Sequence, residues 1–137
     1  MKARTLLLLL SLSLSLSAQS QEKEDTLKVE YYQDGLVKSI TQYENAKKNG
    51  LEVRINQQGS LISEKYYRNG LLNGPVKVYQ NFGKLREEGA YLDGEVHGTY
   101  NKYYNNGKKQ EEANYDRGIK DGRSIWYFQN GNAVTEY

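Results

Sequence analysis

Residues Tyr103–Gly122 read YYNNGKKQEEANYDRGIKDG, and the landmarks of this stretch recur along the chain in steps of 24 residues, without insertion or deletion. One glycine column holds Gly35, Gly59, Gly83, Gly107 and Gly131; a second holds Gly50, Gly74, Gly98 and Gly122. A third holds Gly70, Gly94 and Gly118, with Ala46 in the first copy. Tyrosine occupies one column at Tyr43, Tyr67, Tyr91 and Tyr115 and another at Tyr31, Tyr79, Tyr103 and Tyr127, where Ile55 is the exception. Self-similarity at a fixed period of this size marks a repeat architecture, in which each small unit stacks on its neighbours.

Within each unit the glycines bound two strand-length runs rich in aromatic and β-branched residues. The first runs are Lys28–Tyr32, Glu52–Asn56, Val76–Gln80, Tyr100–Tyr104 and Ser124–Phe128. The second are Leu36–Tyr43, Ser60–Tyr67, Lys84–Tyr91, Lys108–Tyr115 and a shortened Asn132–Tyr137. Such runs, separated by Gly, Asn and Asp, are hairpin signals. The tripeptides Gln33-Asp34-Gly35, Gln57-Gln58-Gly59, Asn81-Phe82-Gly83, Asn105-Asn106-Gly107 and Gln129-Asn130-Gly131 suit three-residue loops ending in a left-handed glycine. The second connection, such as Asp116–Gly122, reads as a longer return loop with two glycines. The expected fold is all-β, an elongated antiparallel meander of tandem hairpin repeats with about nine or ten short strands.

An odd-length loop pairs the odd-numbered tyrosines of the first strand with the odd-numbered Val37, Leu61, Leu85 and terminal tyrosines of the second. This places tyrosines and aliphatics on one face. Ile40, Glu64, Glu88, Glu112 and Glu136 fall on the other, read as largely solvated and charged. Trp126, Val76 and Val78 depart from that pattern. The incomplete last hairpin puts Tyr137 on an edge strand, and open edges invite self-association.

The start of the chain has a different character. Lys2 and Arg4 precede the apolar run Leu6–Leu16, and small residues follow at Ser17, Ala18 and Ser20. That order is a secretory signal peptide; a spanning helix needs about 20 apolar residues. Residues 1–20 are therefore expected to be a leader cleaved between 17 and 20, residues 21–26 a polar lead-in, and Leu27–Tyr137 a domain of about 4.5 repeats. With no cysteine at the exit, the expectation is a secreted or periplasmic protein without a lipid anchor. Of 19 Lys+Arg, two leave with the leader, so 17 face 17 Asp+Glu. The basic footprint of a nucleic-acid binder is missing.

The cysteine count is zero, and 13 tyrosines stand against two phenylalanines and one tryptophan. Tyrosine is apolar in body and wet at the tip, which suits a thin sheet with little interior. Chemistry is hard to assemble from this set. His97 is the single histidine, in a column that otherwise holds Asn49, Asn73 and Asp121, and reads as a turn residue. Zinc sites of usual composition and Ser-His-Asp triads are not available without it. The pairs Glu87–Glu88 and Glu111–Glu112 point to opposite faces of a strand, which separates them as acid and base. No enzyme, cofactor or metal is expected. The tyrosines Tyr31, Tyr43, Tyr67, Tyr79, Tyr91, Tyr103, Tyr115 and Tyr127 are the candidate binding residues.

The pattern Tyr-x-x-x-Gly, a further Tyr eight residues on and then paired glycines resembles the MORN repeat. It is carried by YYNNGKKQEEANYDRGIKDG and, across two units, by YYRNGLLNGPVKVYQNFGKLREEGAYLDGEVHG. The likeness covers about Tyr31–Tyr137 and is nearest to the bacterial variant, the YwqK-type antitoxin-like group. It implies an elongated sheet of hairpins, with roles in phospholipid binding, protein scaffolding or toxin inhibition. The expected function is a protein-interaction module working through a tyrosine-rich face or an edge strand. Binding of membrane lipid or surface polysaccharide is the alternative, and antitoxin-like inhibition a third.

Overall fold

The structure, a computed structural model, describes residues 25–136. The expected leader and the first part of the lead-in lie outside the described residues, as does Tyr137. Asp25 and Thr26, expected in the lead-in, already belong to a strand. The chain folds into one antiparallel sheet in which sequence neighbours are spatial neighbours. Its strands are β1 (Asp25–Tyr31), β2 (Val37–Glu44), β3 (Lys47–Ile55), β4 (Leu61–Arg68), β5 (Leu71–Tyr79) and β6 (Leu85–Leu92). They continue with β7 (Glu95–Val96), β8 (Gly98–Tyr103), β9 (Lys109–Asp116), β10 (Ile119–Tyr127) and β11 (Ala133–Glu136). β7 and β8 both pair with β6, as one strand interrupted at His97. The meander expected from the repeats is the one observed, and among the described residues β1 and β11 are its edges.

The three-residue loops form as the spacing dictates. Tyr32 N donates to Leu36 O at 2.8 Å and Gly35 N to Tyr32 O at 3.0 Å, and the pattern returns at Asn56, Gln80, Tyr104 and Phe128. The loop-closing glycines are all left-handed, with φ from +72° to +95°. Asn81–Gly83 makes a single 3₁₀ turn in the third loop.

The second connection differs from the expected long loop. It is a two-residue turn, with both residues at positive φ: Asn45-Ala46, Asn69-Gly70, Asp93-Gly94 and Arg117-Gly118. This is the type I′ geometry whose twist matches the flanking strands. The following glycines, Gly50, Gly74 and Gly122, lie inside strands, where the ladder skips. Gln42 there faces the three residues Asn49–Leu51, and Tyr66 faces Asn73–Pro75. Gly98 serves the same place at the start of β8. The chain's single proline, Pro75, sits beside this bulge, where a missing N–H is tolerated.

A second bulge reverses the expected faces. Tyr31 pairs with Val37, as odd-to-odd pairing requires, but Glu30 pairs with Ser39, so Lys38 is extra. The same slip occurs at Ile55/Leu61, Tyr79/Leu85, Tyr103/Lys109 and Tyr127/Ala133. A slip of one residue exchanges the side chains that share a face. Even-numbered residues of each first strand therefore join odd-numbered residues of each second strand.

One face, the serine face, carries Ser39, Thr41, Glu52, Ser63, Val76, Glu111, Ala113 and Ser124, all buried. The other, the glutamate face, carries Val29, Ile40, Val53, Glu64, Glu88 and Glu112. Burial thus centres on small side chains rather than on a thick apolar core. Gly89 belongs to the same row, and a Cβ there would run into the Tyr100 ring.

Candidate functional site

The tyrosines do not form one aromatic face. Tyr67, at the end of β4, donates its hydroxyl to Glu52 Oε2 on β3 at 3.1 Å, on the serine face. Tyr79 donates to Glu64 Oε2 at 2.5 Å and Tyr103 to Glu88 Oε1 at 2.5 Å, both on the glutamate face. Tyr43, Tyr91 and Tyr115 share the register position of Tyr67, and Tyr31 and Tyr127 that of Tyr79 and Tyr103. The expected separation of a tyrosine face from a charged face therefore fails. Each column contributes rings to one side, and the register slip sends the two columns to opposite sides.

The glutamates correct a second expectation. Glu64, Glu88 and Glu112 are half-buried, and the first two accept tyrosine hydroxyls from the next strand. Glu52 and Glu111 lie deeper, at 6% and 3% exposure; Glu111 stood out in the sequence as half of a recurring pair, and Glu52 did not. Glu52 receives Lys48 Nζ at 2.6 Å; Glu111 receives Lys102 Nζ and Lys120 Nζ, each at 2.8 Å. Burial alone pushes both carboxyls up, but the ammonium groups outweigh it and hold them below the usual range. The tyrosines shift the other way. Burial first, then the neighbouring carboxylates, raise Tyr67 and Tyr79 to about 12 and Tyr100 and Tyr103 beyond that. These hydroxyls stay protonated as donors, which is poor preparation for nucleophilic or basic work.

Tyr100 was not among the expected site residues. Its hydroxyl meets Glu87 Oε2 at 2.7 Å, its ring lies over Gly89, and it packs edge-on to Tyr115 at 6.3 Å. Its pair with Glu87 spans 13 residues, outside the spacing of 15 that Tyr67–Glu52, Tyr79–Glu64 and Tyr103–Glu88 share, so that spacing does not single it out. His97 lies between β7 and β8, its backbone N bonded to Ala90 O at 2.9 Å and its Nδ1 3.2 Å from Asp116 Oδ1. Glu87 and Glu88 point to opposite faces, as expected, since they serve Tyr100 and Tyr103 respectively.

What the faces leave open is the β1 edge. Leu27 and Tyr31 are 63% and 60% exposed, and β1 has a single neighbour, β2, among the described residues. A hollow of about 450 Å³ adjoins it, lined by Asp25, Thr26, Leu27, Gln42, Tyr43 and Glu44 among others. A second, of about 440 Å³, is lined by Thr26, Lys28, Tyr43 and Ala46. The pairs Asp25–Glu44 and Leu27–Gln42 alternate in face with Thr26–Tyr43 and Lys28–Thr41, and the two hollows share Thr26, Leu27 and Tyr43, so both take residues from each face at this edge.

Residues 72–93 and 96–117 match the family model of the MORN repeat variant. Each match begins in the strand after a type I′ turn and ends in the next such turn, one full hairpin. No curated protein matches the chain.

Proposed function

Because the chain is a MORN repeat protein, we propose that it is a non-enzymatic binding module that engages a protein partner by adding the partner's extended segment to β1. MORN repeats point to the binding of proteins or membranes, and the β1 edge favours the protein. The observation that carries this reading is the strand Asp25–Tyr31, paired on one side alone among the described residues, with two adjoining hollows beside it. Strand addition draws affinity from main-chain hydrogen bonds and selectivity from pockets that take alternate side chains. The row Leu27, Val29 and Tyr31 suits apolar residues at every second position of the partner. Thr26, Lys28 and Glu30 suit polar ones on the other side.

The tyrosines support the sheet in this reading, because the hydroxyls of Tyr67, Tyr79, Tyr100 and Tyr103 are already held by carboxylates. Export belongs to the proposal as well, carried by the order of Lys2, Arg4, the Leu6–Leu16 run and the small residues after it.

Crosslinking capture from envelope and culture-supernatant fractions tests the reading, with the chain compared to a Leu27→Lys, Tyr31→Lys variant. Both side chains are exposed, so the variant should unfold at the same temperature. One stoichiometric protein captured by the parent, and reduced about tenfold or more in the variant, is expected. Equal capture by both would remove β1 as the docking edge. Retention on liposomes without any protein partner would favour the membrane-binding reading instead.

A further inference from the structure

Away from β1, three successive three-residue loops come together around a groove of about 510 Å³. Ligand clefts span about 300–1,000 Å³. The groove is lined by the amides of Gln80, Asn105, Gln110 and Gln129 and by Tyr103 and Tyr104. Elsewhere in the loops, side-chain amides close turns. Asn56 Oδ1 accepts from Ser60 N at 2.8 Å, Asn106 Oδ1 from Lys108 N at 3.0 Å and Asn130 Oδ1 from Asn132 N at 2.9 Å. The amide side chains of Gln80, Asn105, Gln110 and Gln129 have no such employment among the described residues. Gln80 Nε2 is buried without a hydrogen-bond partner among the described residues. Buried donors are nearly always satisfied in folded proteins, so one left open beside a groove calls for a ligand or a functional reason.

The walls of the groove are held in place. Tyr104 donates to Tyr127 O at 2.7 Å and Tyr103 to Glu88 at 2.5 Å, which fixes both rings. Arg86, the cation in the lining, pairs with Glu87 at 3.0 Å, and nearby Lys84 reaches Asn105 O at 3.2 Å. A hollow of about 290 Å³, lined by Gln80, Phe82, Lys84 and Asn105, continues the site. Phe82 is 90% exposed and sits at φ +67°, where the other copies carry Asp34, Gln58, Asn106 and Asn130. A bulky residue in the left-handed region is a strained choice, and such strain clusters at ligand sites.

We infer that this groove binds a neutral oligosaccharide, with the open amides hydrogen-bonding hydroxyls and the rings of Tyr103, Tyr104 and Phe82 packing against sugar C–H faces. An amide offers donors and an acceptor together, matching hydroxyls that are both. Among the described residues lining the 510 Å³ groove the one cation, Arg86, is already paired and no carboxylate occurs, so a neutral ligand fits this lining better than a polyanion or a polycation. The site is separate from the β1 edge and stands or falls independently of the protein-partner reading.

The test is a titration of the full ¹⁵N-labelled chain with maltotetraose, cellotetraose, chitotetraose and mannotetraose, each to about 10 mM. Saturable shifts of the Gln80, Asn105 and Gln129 side-chain amides with at least one sugar are expected. Gln80→Leu together with Gln129→Leu should weaken that binding about tenfold. Phe82→Asn, which restores the residue type of the other loops and so keeps the fold, should weaken it about threefold. Absence of saturable shifts with all four sugars overturns the proposal. So does equal affinity in Phe82→Asn, or shifts produced by tetra-alanine or an alginate oligomer and not by the neutral sugars.

Discussion

Ala46 holds the second position of the first type I′ turn at φ +62°, where the later copies have Gly70, Gly94 and Gly118. A left-handed conformation costs an L-residue about 1–2 kcal/mol, and the added chain entropy of glycine takes back about 0.4–1 kcal/mol. Ala46→Gly should therefore stabilise the protein by about 0.5–1 kcal/mol in urea unfolding. A loss of stability would mean that the Ala46 methyl packs favourably against the β1 end of the sheet. The tyrosine–glutamate pairs belong to the same scale. Each joins neighbouring strands through one hydroxyl, and the fifteen-residue spacing lets the repeat reproduce it.

Among the strands and turns, the bulges decide which residues share a face. Gly74 lies in β5 at φ +119°, and a Cβ there would stand 3.1 Å from Tyr66 Cβ. The backbone conformation strains any side chain there, and the tight contact requires Tyr66 to give way by a few tenths of an ångström. Gly74→Ala is expected to cost about 2–3 kcal/mol in chemical unfolding, from a left-handed backbone and overpacking together. A cost below about 0.5 kcal/mol would show that the bulge relaxes without it. The glycine columns were legible in the sequence as turn positions. One column of the three, Gly50, Gly74, Gly98 and Gly122, proved to hold the bulge position. Composition does not separate the two, because both need the same positive φ.

For the molecule as a whole, the tyrosines and buried glutamates set the pH range of stability. Tyr67 and Tyr79 rise from an ordinary 10.0 to about 12, with Tyr100 and Tyr103 higher still. Their folded forms hold the proton more tightly than the unfolded chain does. The stabilisation is therefore complete below pH 10 and is lost as the pH climbs through about 12. Glu52 and Glu111 are lowered from 4.5, so their contribution is present above that value and fades as the pH falls beneath it. Thermal unfolding against pH should show a plateau between these limits. Tyr79→Phe with Tyr103→Phe should flatten the alkaline limb; an unchanged limb would mean that those two pairs do not hold the sheet.

The 24-residue period, the strand pairs, the three-residue loops and the sheet order could all be read from the chain, because they depend on local spacing and on glycine's access to positive φ. Which tyrosines share a face could not. That rests on a one-residue slip in every hairpin, set by the hydrogen bonds of the closing loop and the twist of the strands it joins. The same slip carries Tyr79 and Tyr103 to the glutamates. It sets Glu52, Glu111 and the Tyr67 column among the small side chains of the serine face, and puts the open positions at the β1 edge and at the amide groove among the loops. Local periodicity names the residues, and register chooses their neighbours.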